Sequence, residues 1–226
     1  MKKETLKNLC IGIGLLVAFG LWTTAIQLVD VQPIGPQETS VGFATVNGFV
    51  HNLTGVHMLL YTITDWLGLV PFLFVMGFAL LGLVQWIKRK SLLKVDYSIL
   101  ILGGFYITVM AVYVLFEFFI VNYRPVLIDG ILEASYPSST TMLVMCVMPT
   151  AIMQLKERMK HSVLKRWIVY AMTAFVVFMV MIRLVSGVHW FTDIIGGALL
   201  SAGLVMLYHS ICSFELSGSQ AESRNK

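Results

Sequence analysis

Residues 167–213 read WIVYAMTAFVVFMVMIRLVSGVHWFTDIIGGALLSAGLVMLYHSICS. Two apolar runs, 167–188 and 191–213, meet at a short polar joint whose members are Arg183, His189 and Asp193. Each run has about the 20 residues that an α-helix needs to cross a bilayer core. Charge inside such a run is costly, so an arginine, a histidine and an aspartate gathered at one joint mark a functional site. Asp193 follows His189 by four residues, and on a helix starting there its carboxylate is expected to reach the imidazole. Arg183 precedes His189 by six residues, about 9 Å of helix. Between them, Ser186-Gly187 allows the chain to bend.

The same reading extends outward. The chain has 226 residues, 58% of them hydrophobic and only 12% charged, which excludes an ordinary soluble globular protein. Its length suits one domain spanning 1–226. Four further apolar runs lie at about 8–29, 66–87, 97–122 and 138–155. No water inside a bilayer satisfies backbone polar groups, so each run is expected to be a helix. The expected fold is therefore an all-α, polytopic bundle of six transmembrane helices. The first run follows Lys2, Lys3 and Lys7 in the manner of a signal peptide. It lacks a small-residue cleavage site before Asp30 and reads as a retained span. Cys10, Cys146 and Cys212 sit in or near apolar segments without metal-ligand spacing, which predicts a packing role.

A formal charge of +4 does not point to nucleic acid, because the cations are sorted by loop. Lys2, Lys3 and Lys7 precede the first span. Lys88, Arg89, Lys90 and Lys94 follow the second. Lys156, Arg158, Lys160, Lys165 and Arg166 follow the fourth, and Arg224 and Lys226 end the chain. Basic loops stay cytoplasmic, which predicts both termini inside, with Arg124 and Arg183 alone on the outer side. The plasma membrane is the expected location, with the active site facing outward.

Residues 30–65 form the longest extramembrane stretch. Its Pro-rich start gives way at Phe43 to apolar residues at three- and four-residue steps, which predicts an amphipathic interfacial helix between spans 1 and 2. That helix carries His51, His57 and Asp65, with His57, Tyr61 and Asp65 on one face; packing is its expected role. In the third span, Pro125 is expected to end the helix at or just before Arg124. Glu117, seven residues earlier, then shares a face with Arg124 at about 10 Å. Pro137-Ser138-Ser139-Thr140-Thr141 reads as the first turn of the fourth helix, with Ser138 or a neighbour as cap and outward-pointing N–H groups ready for an anion.

Two guanidinium groups, a hydroxyl-rich helix start and a histidine backed by an aspartate are thus predicted on one side of the membrane. Arginine's fork matches phosphate oxygens bidentately and can neutralise a phosphoryl group in transfer. A neutral imidazole is a competent nucleophile when a carboxylate fixes its tautomer. This set fits phosphoryl transfer through a phosphohistidine. A metal site is disfavoured, because His189 and Asp193 supply only two ligands and the arginines repel a cation. A purely structural His–Asp pair is the plainer alternative.

These residues resemble the type 2 phosphatidic acid phosphatase family, membrane phosphatases that share a catalytic core with vanadium haloperoxidases. The family pattern is Lys, six residues, Arg-Pro; then Pro-Ser-Gly-His; then Ser-Arg, five residues, His, three residues, Asp. Here the third motif stands as Arg183, LVSGV, His189, WFT, Asp193, with Ile182 for the leading serine. The first stands as Arg124-Pro125 with Glu117 for the lysine, and the second as Pro137-Ser138 with Ser139 for glycine and Thr140 for histidine. The resemblance implies a lipid phosphate or lipid diphosphate phosphatase without cofactor or metal. It implies His189 as nucleophile, Asp193 as its orienter, and Arg124, Arg183 and the Ser138, Ser139, Thr140 stretch as phosphate ligands.

Threonine at 140 cannot protonate a leaving group, which removes an effect typically of about 10²–10⁴ in rate. His57, His51 or a protonated Glu117 are the candidate substitutes, none aligned with the motif. A diphosphate substrate would ease the demand, since phosphate leaves more readily than an alkoxide. Glu117 is alternatively a partner for Arg183. The expected partners are a phosphorylated membrane lipid or a polyprenyl diphosphate, and the bilayer itself. The competing readings are a degenerate relative that binds or senses lipid phosphate, and a transporter with an Arg/His/Asp path.

Overall fold

Apolar runs too long for a soluble core become helices that show their side chains to lipid. In a computed structural model that describes residues 2–160 and 162–224, the chain is helical almost throughout: α1 (Lys2–Leu28), α2 (Ala44–Thr54), α3 (Met58–Leu67), α4 (Leu69–Arg89), α5 (Tyr97–Phe118), α6 (Ser139–Arg158), α7 (Val163–Val185) and α8 (Phe191–Arg224). Among the described residues, five stretches are long and apolar enough to cross a membrane: Lys3–Leu28, Met58–Arg89, Tyr97–Phe118, Val163–Val185 and Phe191–Phe214. Leu21, Leu73, Ile107 and Val177 point outward, exposed, as expected where the solvent is hydrocarbon. The protein is an integral membrane helical bundle.

The fourth expected span, α6, is the exception in composition and is not among these five. It lies in the middle of the bundle against α4, α5, α7 and α8, and buries Thr141, Thr150 and Gln154. Those polar groups are satisfied inside the protein. Thr150 meets the Tyr106 hydroxyl at 3.2 Å, and Gln154 Nε2 donates to the Tyr208 hydroxyl at 2.7 Å. A helix sheathed by its neighbours does not need an apolar surface.

Helices α1 and α8 run antiparallel, tied at one end by Asn8 to His209 (3.0 Å) and at the other by Trp22 Nε1 to the Thr192 carbonyl (3.2 Å). Both helix termini bearing the chain ends therefore lie away from the joint at 186–190. The end of α4 at Arg89 and the end of α6 at Arg158 lie with them, since Arg89 and Arg158 share Asp96.

Two boundaries depart from the sequence expectation. The helix expected over 43–65 is broken after Thr54, and α3 runs on into α4 through Gly68, so the second span begins at Met58 rather than 66. The cause is a crossing of backbones. The His57 N–H donates to the Ser186 carbonyl at 2.9 Å, and a Cβ on Gly187, where φ is +69°, would lie 1.8 Å from the Gly55 carbonyl oxygen. No side chain fits there, and helix cannot continue through the crossing. Similarly, α5 stops at Phe118, so Arg124 is not on that helix.

What replaces the helix is a short antiparallel hairpin. Asp129-Gly130, with φ of 50° and 79°, makes a two-residue turn closed by reciprocal bonds between Ile128 and Ile131 (3.0 and 2.8 Å). Asp-Gly favours such turns because both residues accept positive φ. Further down the arms, Arg124 N–H donates to the Glu133 carbonyl (3.0 Å) and Ser135 N–H to the Asn122 carbonyl (2.9 Å). Pro125, with no N–H, interrupts the ladder between turn and base.

Candidate active site

The base of the hairpin and the α7–α8 joint close on each other. Trp190 Nε1 donates to the Tyr123 carbonyl at 2.7 Å, and the Ser138 N–H donates to the Asp193 carbonyl at 3.1 Å. From the other side, buried Asn47 of α2 accepts from the Thr192 N–H (3.2 Å) and donates to its hydroxyl (3.0 Å). The helix between spans 1 and 2 thus anchors the start of α8. Tyr136 packs flat on that helix because residue 196 is glycine; a Cβ there would lie 2.4 Å from the ring.

Asp193 is fully buried, and its carboxylate is well supplied with donors. Asn122 Nδ2 reaches Oδ1 at 3.2 Å, the Ser135 hydroxyl reaches Oδ2 at 2.5 Å, and the Trp190 N–H reaches Oδ2 at 2.9 Å. The expected direct bond to His189 is absent: Nδ1 lies 3.9 Å from Oδ2, beyond hydrogen-bond range. Ser135 stands between them. Its hydroxyl lies 3.0 Å and its carbonyl oxygen 3.1 Å from His189 Nδ1. A carbonyl can only accept, so Nδ1 carries the proton and Nε2 is bare. At the start of α8 the i, i+4 spacing brings the two side chains close, as expected, but Ser135 enters between them from a different loop.

The bare Nε2 faces Arg124, whose Nη1 is 3.5 Å away. Burial first, then the charges of Arg124 and Arg183, hold the His189 imidazole well below the usual histidine range. It is therefore neutral at physiological pH. Arg124 and Arg183 share a further neighbour, lying over the Tyr61 ring at 5.7 and 4.6 Å from its centre. Arg183 does not pair with Glu117; its Nη1 donates to Asp65 Oδ1 (3.0 Å) and to the Thr64 hydroxyl (3.1 Å). The second span begins early enough to bring Asp65 there. Arg124 Nε lies 3.0 Å from Glu133 Oε2, though its N–H does not point along that contact.

A small cavity of about 20 Å³ beside His189 is lined by Arg124, Glu117, Tyr113, Ser135 and Ser139. It adjoins a lateral groove of about 270 Å³ that shares Tyr113 and Ser139 and runs past Asp65, Thr140, Phe72 and Leu143. Thr140 therefore opens on the groove and not on the cavity. Ser138 occupies the cap position of α6, but its side chain makes no capping bond; it is buried and accepts from the Thr141 hydroxyl at 3.0 Å. His57 is exposed with Nε2 on the Thr54 carbonyl (2.9 Å), and His51 packs on Trp190 at 5.5 Å. Neither lines the cavity, whereas Glu117 does, from the last turn of α5 rather than from a face shared with Arg124.

Among the described residues, no group of three or more His, Cys, Asp or Glu could hold a metal ion. The model of the PAP2 superfamily matches residues 99–215, which take in nearly all of α5, the hairpin, α6, α7, the joint and α8 as far as residue 215. The chain belongs to the PAP2 superfamily. No curated protein matches the sequence. Among solved structures, the chain is similar to the first transmembrane PAP2 type phosphatidylglycerolphosphate phosphatase from Bacillus subtilis, at 20% identity and a TM-score of 0.61, covering 90% of this chain and 96% of that one. At that identity the likeness speaks for the fold, and at 90% coverage it reaches beyond the segment matched by the family model.

Ser135, Asn122, Tyr61 and Asp65 are the site residues that the motif reading did not single out as ligands or supports. The hairpin signal that places the first two was present as Asp129-Gly130. Asp65 was visible as a carboxylate four residues from Tyr61, without a sign that Arg183 was its partner.

Proposed function

We propose that the chain is a lipid phosphate phosphatase that works through a phosphohistidine formed on His189. The observation that carries this reading is a pair of buried guanidinium groups, each ion-paired on one side and each with a donor to spare. Arg124 and Arg183 are 7% and 1% exposed, and each keeps a buried Nε without a hydrogen-bond acceptor. Buried donors are nearly always paired, and oxygens of a phosphoryl group supply acceptors to both guanidinium groups at once. The cavity beside Nε2 has room for about one water. Glu133, whose side chain is 40% exposed, gives up its place on Arg124 to a phosphoryl oxygen and swings outward.

In the proposed step the Nε2 lone pair attacks phosphorus, and the bond from phosphorus to the lipid oxygen breaks with its electron pair leaving on that oxygen. Glu117, the carboxyl group lining the cavity, gives the leaving oxygen its proton. The ring becomes cationic; its Nδ1–H rests on Ser135, and Ser135 passes the hydroxyl bond to Asp193. Arg124 and Arg183 take up the charge spread over the phosphoryl oxygens. Water then attacks phosphorus, the phosphorus–nitrogen bond breaks, the water proton returns to Glu117, and inorganic phosphate departs. Ser139 borders the phosphoryl space, while Ser138 and Thr140 support its walls.

A lipid is favoured over a soluble ester because the site opens sideways, into the groove flanked by Phe72 and Leu143. The outer face is favoured because the Lys-rich connections lie at the other end of the bundle. The test is a phosphate-release screen of purified protein across lipid monophosphates and diphosphates, with His189→Ala as blank. Release on any of them that the blank loses supports the reading. No release on any, with saturable lipid phosphate binding that Arg124→Ala abolishes, replaces it with a binding protein.

A further inference from the structure

We infer that the groove between α6 and α7, at the end of the bundle away from His189, holds the headgroup of an anionic phospholipid. The groove has a volume of about 650 Å³ and is lined by Lys156, Ser162, Lys165, Arg166, Val169 and Tyr170, among others. Three of these are cations. Along α7, Arg166 is 17 residues from Arg183, about 26 Å, so the groove is separate from the site at His189 and independent of its chemistry.

The cations at this end fall into two groups. Arg89 and Arg158 are neutralised by Asp96, at 2.9 and 3.2 Å. Among the described residues, Lys156, Lys165 and Arg166 have no such carboxylate. Lys165 is the telling member, because it is only 8% exposed. Its ammonium donates to the Lys156 carbonyl and, at 3.1 Å, to the Met159 carbonyl. These are carbonyls at the end of α6, and they orient the group without cancelling its charge. A buried charge is ordinarily paired, and an ammonium has three donors, so the groove has both a charge and a donor to offer an anion.

The surroundings select the kind of anion. Tyr170 lines the groove and meets the exposed Trp167 edge-on at 6.4 Å, an aromatic pair of the type that marks the membrane–water boundary. Val163 and Val169 form an apolar wall beside the cations. A basic pocket between membrane helices at headgroup depth fits a lipid phosphate with acyl chains running down the helices. A freely soluble anion would have no use for that wall.

The test is native mass spectrometry of the full-length protein in neutral detergent, titrated with phosphatidylglycerol and, separately, phosphatidylcholine. One phosphatidylglycerol should be retained saturably and in preference to phosphatidylcholine, and retention should persist in Arg124→Ala. The double variant Lys156→Gln, Arg166→Gln should bind roughly tenfold more weakly or worse, with melting temperature and phosphate release unchanged. Arg166→Gln alone gives the same reading should the double variant fail to fold. The control Lys88→Gln, Lys90→Gln removes equal charge from the same end and should bind as the parent does. Equal weakening in that control, undiminished binding in the groove variants, or equal competition by soluble glycerophosphoglycerol would each overturn the inference.

Discussion

Ser135 touches His189 twice: its hydroxyl and its carbonyl oxygen lie 3.0 and 3.1 Å from Nδ1. The hydroxyl continues to Asp193, so in the proposed reaction the serine positions the imidazole and the carboxylate acts through it. Replacing it with alanine leaves the carbonyl contact and the bonds of Asp193 to Asn122 and Trp190. Ser135→Ala should therefore lower kcat roughly 10- to 100-fold, the usual scale for a supporting partner, with KM little changed. His189→Ala should abolish turnover. Steady-state kinetics on one lipid phosphate separates these outcomes, and a Ser135→Ala protein as dead as His189→Ala would remove the relay.

Glu117 is the proposed proton donor, and its contribution depends on the leaving group. Glu117→Gln should slow hydrolysis of an alkyl phosphate by about 10²–10⁴-fold. With an aryl phosphate or a lipid diphosphate, whose leaving group needs less protonation, the loss should be much smaller. Equal losses on both substrate types would assign Glu117 a role in binding.

Asp65 holds Arg183 from the second span. The pair is asymmetric, with Arg183 1% and Asp65 48% exposed at the side chain. Removing one member of a wholly buried pair costs about 3–5 kcal/mol, and exposure of Asp65 discounts this to roughly 1–2 kcal/mol. Asp65→Asn should lower the melting temperature in detergent accordingly and raise KM more than it lowers kcat, because Arg183 loses its orientation toward phosphate.

Protonation of His189 gives two signs. Attack requires neutral Nε2, and burial with two neighbouring guanidinium groups depresses the imidazole's affinity for a proton. The acid limb of kcat/KM, which reports the free enzyme, should lie below the ordinary histidine value of about 6.5. For stability, the unfolded chain binds this proton below about pH 6.5 while the folded chain does not, so stability falls as pH drops from there toward the folded value and is unaffected above it. The fall in melting temperature of the parent below about pH 6.5 should be shallower in His189→Gln, which lacks this proton site, while the two should run parallel above it.

The helical spans were legible because lipid imposes a length and a composition that a sequence shows directly, and the motif spacing marked Arg124, Arg183, His189 and Asp193. Non-local partners were not legible. Asp65 meets Arg183 across 118 positions and Ser135 meets His189 across 54, and no periodicity encodes such pairs. Pro125 has the look of a helix stop, but the Asp129-Gly130 turn draws the preceding residues into a hairpin, so α5 ends earlier, at Phe118. The apolar residues of α6 mark it as a span, but its buried threonine and glutamine are explained only by Tyr106 and Tyr208 opposite them, partners that sequence spacing does not encode.

The most direct measurement is rapid quenching of the protein with a lipid phosphate labelled in its phosphoryl group, under alkaline conditions that preserve phosphohistidine, followed by peptide mapping. The account predicts label on His189 within the first turnover and its absence from His189→Ala. Turnover with the label on no histidine, or turnover surviving in His189→Ala, would contradict it.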